Sequence, residues 1–200
     1  MEKKIVHGNS NFGYAPINVS ADTGEATFGT PVMMPGMRSS TMEVEQENTP
    51  IYADNIKYVI TQGAKVRSAE VGVLYVPKDY AIMALGMKEE ANGMLVDTGV
   101  KKAHCIFFES KEIDATTGAE TQTLHYLYDV LASEPTKETT TDEEEVEPQE
   151  IALPFECKES QIAKDSEGKA VQYGYITRTD ENASVYDLFK SSVILPTDVI

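Results

Sequence analysis

The side chains able to do acid–base, nucleophilic or metal chemistry are spaced poorly for it. His7, His104 and His125 are the only histidines, and their spacing puts no two of them on one helical turn or in one short loop, as a zinc site requires. Cys105 and Cys157 are the only cysteines. They form no Cys-x-x-Cys pair, and both lie in apolar, strand-like stretches. A small buried hydrophobe is the commoner role there, and a chain of 200 residues needs no disulfide staple to fold. No Gly-x-Ser-x-Gly elbow, phosphate loop or dinucleotide glycine motif occurs. Carboxylates are so abundant, 33 acidic residues against 17 basic, that a carboxylate pair singles out nothing. These features point away from an enzyme and imply no cofactor.

One carboxylate row has a pattern. Glu43, Glu45 and Glu47 alternate with Met42, Val44 and Gln46, so they line one face of a strand. A hard cation such as calcium needs oxygen ligands from several directions, and a single row does not supply them. No metal site is expected. The row reads instead as an acidic ladder facing water or a water-filled channel, because like charges on one face resist burial. His104 and His125 are placed to face one another across neighbouring strands, as a pH-sensitive contact or as ordinary sheet packing.

The elements that carry these residues are mainly strands. Phe12, Tyr14, Ile17 and Val19 mark an opening strand. The stretch 40–48 alternates around the acidic ladder. After a polar turn at Ala53, Asp54 and Asn55, a second alternating run places Ala69, Val71, Val73 and Tyr75 opposite Ser68, Glu70, Gly72 and Leu74. Pro77 then stops the strand, and Gly86 closes a short helix between them. Ala81, Ile82 and Leu85 give that helix one apolar stripe, a plug against a sheet. Residues 104–108 and 124–131 are apolar or aromatic on both strand faces. A second apolar face in a lone subunit would be an exposed patch, so Phe108, Tyr126 and Tyr128 are the candidate assembly surface. Residues 151–157 and 170–178 read as paired strands around a turn at 165–168, and residues 184–189 as one helical turn.

Charge and composition narrow the class. A net charge of −16 argues against a nucleic-acid-binding face, since phosphate contacts need clustered Lys and Arg. Residues 134–150 (EPTKETTTDEEEVEPQE) hold eight carboxylates against Lys137 and no aromatic side chain. Such a segment cannot repay its ordering entropy by burial and is expected to be a mobile acidic loop within a single domain, 1–200. No apolar run approaches the roughly 18 residues of a membrane span, and the polar MEKKI start shows no export signal. A reduced, cytoplasmic site of synthesis and assembly is expected.

The order of these signals resembles the major tail protein family of long-tailed phages that infect Gram-positive bacteria. The resemblance is carried by residues 52–55 (YADN), 70–76 (EVGVLYV) and 77–86 (PKDYAIMALG). Three outlying stretches share it: 22–32 (DTGEATFGTPV) with the apolar run after it, 172–177 (QYGYIT) and 187–196 (DLFKSSVILP). The acidic insert after Ser133 departs from the pattern. The resemblance implies a β-sandwich or barrel with one short α-helix and long loops, forming hexameric rings. These would stack into a tail tube through which DNA passes without specific binding. It also implies partners in a tape measure protein and tail-end proteins. The alternative is a monomeric β-sandwich module binding carbohydrate or a cell surface. That reading would be marked by aromatics on loops, whereas the tyrosines here sit mainly in strands.

Overall fold

The computed structural model describes residues 4–136 and 148–198. Most of the acidic segment lies outside these residues, so its expected mobility is not addressed. Among the described residues the fold is mainly β, with the strands β1 (Lys4–Val19), β2 (Ala26–Phe28), β3 (Val32–Met33), β4 (Met37–Ala53) and β5 (Ile56–Val73) preceding the helix α1 (Lys78–Ala84). The strands β6 (Met87–Glu89), β7 (Leu95–Asp97), β8 (His104–Asp114), β9 (Glu120–Ala132), β10 (Ile151–Cys157) and β11 (Tyr173–Thr177) follow. The chain closes with the short helix α2 (Ala183–Tyr186) and a 3-10 turn, Asp187–Lys190.

All strand pairings are antiparallel. The main sheet runs β2-β1-β8-β9-β10-β5-β4, with β3 added beside β1 and β11 beside β9, while β6 and β7 form a separate hairpin. Strand β9 is the hub. It pairs with β8 on one side and, on the other, with β11 through 123–127 and with β10 through 130–132. The expected pairing of 151–157 with 170–178 is therefore replaced: both segments are strands, but each pairs with β9 instead of with the other. A single central strand long enough to take both partners end to end makes the direct pairing unnecessary.

The body of the sheet is buried on both faces, and each face has its own cover. One core gathers Phe12, Tyr14, Val71, Val73, Ile106, Phe108, Leu127, Leu153 and Phe155 around α1. The other gathers Cys105, Phe107, Leu124, Tyr126 and Tyr128 under Tyr186, Phe189, Val193 and Ile194 of the C-terminal segment. Alternation along β8 and β9 explains the division, because successive residues point to opposite faces. Both cysteines are free thiols.

Helix α1 follows Pro77, whose extended backbone provides its N-cap, and it ends at Leu85. Ala81 and Leu85 are buried as the stripe requires, while Ile82 is only half-buried and Tyr80 and Ala84 complete the inward face. Gly86 has φ 76°, and a Cβ there would meet the Val100 carbonyl oxygen at 2.6 Å, so both conformation and space demand glycine.

His104 pins this helix to the sheet. Its Nδ1 lies 3.0 Å from the Lys102 carbonyl oxygen, which can only accept, so Nδ1 carries the proton. Nε2 then accepts from the Tyr80 hydroxyl at 3.1 Å. Tyr14, Tyr80 and Phe155 surround the ring edge-on. Burial holds the imidazole pKa down at about 4. His104 and His125 do not face each other: His104 is opposite Val130, and His125 is opposite Phe108.

Candidate assembly surface

The predicted assembly residues are spent inside the subunit. Phe108 is 2% exposed, Tyr126 1% and Tyr128 3%. The expectation that Tyr126 and Tyr128 face a second copy is corrected by the C-terminal segment, which folds over them and takes the Tyr128 hydroxyl on the Ile194 carbonyl at 3.0 Å. Phe108 belongs to the opposite core. A strand that is apolar on both faces needs two covers, and this chain supplies both.

A second network fixes that C-terminal cover. Glu109, almost fully buried, accepts from the Tyr186 hydroxyl at 2.7 Å and from the Asn11 side-chain amide. Asn11 sits at φ 52° in a register shift of β1. Asn182 bridges Thr177 and Thr179, and Arg178 grips Asp187 through two bonds of 3.1 Å.

What the subunit leaves uncovered is the β4–β5 hairpin. Asp54 and Asn55 have φ of 52° and 63°, the two left-handed positions of a type I′ turn, and Ala53 pairs with Ile56 directly across it. Pairing then continues to Met37 and Val73. The inner part of the hairpin belongs to the body, where Ala69, Val71 and Val73 are buried. The outer part is an arm: every β5 residue from 56 to 66 is exposed, as is nearly all of β4 beyond Met42. Among its exposed side chains are Val44, Ile51, Tyr52, Ile56, Tyr58, Val59, Ile60 and Val66. The sequence signal for the arm is Asp54-Asn55 flanked by β-branched and aromatic residues; its outer strands serve no core, so a one-sided burial pattern does not mark them.

The two faces of the arm differ in chemistry. Register places Thr41 opposite Glu70, Glu43 opposite Ser68 and Glu45 opposite Val66, giving one acidic face. Glu47 continues the row at a register shift, where a Cβ on Gly63 would come within 2.9 Å of the Glu47 carbonyl oxygen. Glu43, Glu45 and Glu47 are all exposed. The opposite face carries Met42 against Ala69, Val44 against Arg67 and Gln46 against Lys65. Arg67 anchors the root of the arm by lying 4.5 Å above the Tyr173 ring. Tyr173 bonds His125 Nδ1 at 2.8 Å, and His125 Nε2 meets the Ser110 hydroxyl at 2.8 Å. The His125 ring also stacks on Phe108. Burial lowers the His125 pKa, against a smaller opposing pull from Glu112.

Among the described residues no group of three or more His, Cys, Asp or Glu is arranged to hold a metal ion. No helix there is long and apolar enough to cross a membrane. The sequence profile of a family described as phage tail tube protein matches residues 1–200. A comparison with curated proteins returned no match.

Proposed function

Because this chain belongs to the phage tail tube protein family, and is thereby a structural protein of the virion tail, we propose that its activity is self-assembly through the β4–β5 arm. The subunits form rings, taken as hexameric from the family resemblance, and the rings stack into the tube that conducts DNA during ejection. The arm is the observation that carries this reading. An isolated two-stranded ribbon is marginally stable in water at best, and this one exposes both faces, an open edge on β4 and a run of aliphatic and aromatic side chains. A second copy supplies what the ribbon lacks: strand pairing for the edge and burial for the exposed aliphatic and aromatic side chains.

The acidic face is assigned to the water-filled lumen. A polyanion sliding past carboxylates is repelled within about one Debye length, roughly 8 Å at physiological salt, which keeps a water layer between wall and genome. DNA then passes without binding. The tape measure protein and the tail-end proteins are the partners this role requires, inside and at the ends of the tube. Purified protein examined by light scattering and negative-stain microscopy should show rings or tubes at high concentration. A monomer at every concentration would overturn the proposal.

A further inference from the structure

Helix α1 and the β6–β7 hairpin leave a groove of ≈ 480 Å³ between them, lined by Tyr75, Val76, Leu85, Met87 and Leu95, with Lys78 and Glu134 among its polar lining residues. Its volume falls in the range that takes a small molecule or several side chains. Tyr75 is 63% exposed, and Leu74, Leu95 and Val96 beside it are exposed as well. Lys78 is held by Glu89, and Glu134 is an exposed carboxylate among the groove's lining residues.

The arm tip has the complementary composition. Ile51 pairs with Val59 and Tyr52 with Lys57, so Tyr58 is an extra residue set opposite Tyr52. Two β5 residues against one on β4 place Lys57 and Tyr58 together beside Tyr52. Tyr52 is 66% exposed and Tyr58 73%, so both aromatic side chains of the tip stand largely in solvent. Groove and tip lie at opposite ends of β5. The eighteen-residue strand β5 runs from one to the other, roughly 56 Å from its first to its last residue at about 3.3 Å per step. An apolar, cationic knob at one end and an apolar, acid-edged hole at the other make a head-to-tail pair. Such a contact cannot be satisfied within one subunit and repeats from copy to copy.

We propose that the arm tip of one copy, with Tyr52 and Tyr58 as its apolar anchors and Lys57 directed to Glu134, seats in the α1 groove of a second copy. This rests on the self-assembly reading and specifies which surfaces meet. Aromatic side chains desolvated in a pocket carry most of the affinity of such contacts, and the charge pair sets orientation and rate.

Cysteine cross-linking tests the pairing. Tyr58→Cys and Tyr75→Cys proteins, mixed, assembled and mildly oxidised, should give a disulfide-linked dimer that neither protein gives alone, the native thiols being buried or half-buried. In parallel, Tyr58→Asp should keep the cooperative melt of the wild type and lose tubes. If wild-type tubes form but the mixed pair gives no covalent dimer, or if Tyr58→Asp tubes match the wild type, the tip-to-groove contact is wrong and assembly uses other surfaces. If the wild type never assembles, the self-assembly reading itself is overturned.

Discussion

Acidification should weaken the subunit through one buried histidine. His104 is fully buried, and its pKa falls from 6.5 to about 4 because the aromatic cage around it excludes water from the charged form. The folded state therefore binds this proton more weakly than the unfolded chain does. Its stabilising contribution is complete above pH 6.5 and is lost as pH falls through about 4. At about 1.4 kcal/mol per pKa unit, the full loss is about 3 kcal/mol, a large share of a typical domain's stability. Protonation also forces Nε2 to donate toward the Tyr80 hydroxyl, which now donates to it. The assay is urea denaturation of the dilute, unassembled protein between pH 7 and pH 4, run beside His104→Gln. The variant is weaker at pH 7, but its stability should fall less on acidification, so the gap between the two closes by about 3 kcal/mol at pH 4. His125 and the surface carboxylates are common to both proteins and cancel in the difference. Parallel pH profiles would refute the reasoning, since they would mean that His104 gains its proton as easily in the fold as in the unfolded chain.

Leu85→Asp should abolish cooperative folding, because it places an unpaired carboxylate in the core beneath α1, a change of the class that costs more than about 4 kcal/mol. Lys88→Ala, which removes only the exposed pair with Glu90, should change stability by less than about 1 kcal/mol; an unchanged melt of Leu85→Asp would show that the helix is no plug. Tyr186→Phe strips buried Glu109 of a 2.7 Å donor and should cost about 1–3 kcal/mol in chemical denaturation. A loss within error would mean that the C-terminal cover is held by packing alone. Changing Glu43, Glu45 and Glu47 together to Lys should leave rings intact and retain DNA in the tail after triggering. Loss of assembly in a folded triple variant would move these residues from the lumen to an interface.

Local patterning determined much of this protein by itself. The opening strand, the Asp54-Asn55 turn, the Pro77-to-Gly86 helix and the alternating strands around 104–108 and 124–131 follow from side-chain period, turn chemistry and proline, and these act within a few residues. Absence of the common catalytic motifs is likewise a property of spacing along the chain. The order of signals also carried the family, because order survives where single motifs are weak. Tertiary structure decided what covers what. Tyr126 and Tyr128 are apolar whether a second copy or the chain's own tail lies on them, and only folding of 183–195 onto the sheet assigned them to the interior. Ile56 and Ile60 stand in solvent because β5 outruns the strand beside it: β10 ends opposite Arg67. Strand period fixes which residues share a face, but the lengths and pairing partners of distant strands fix whether that face is core, lumen or contact.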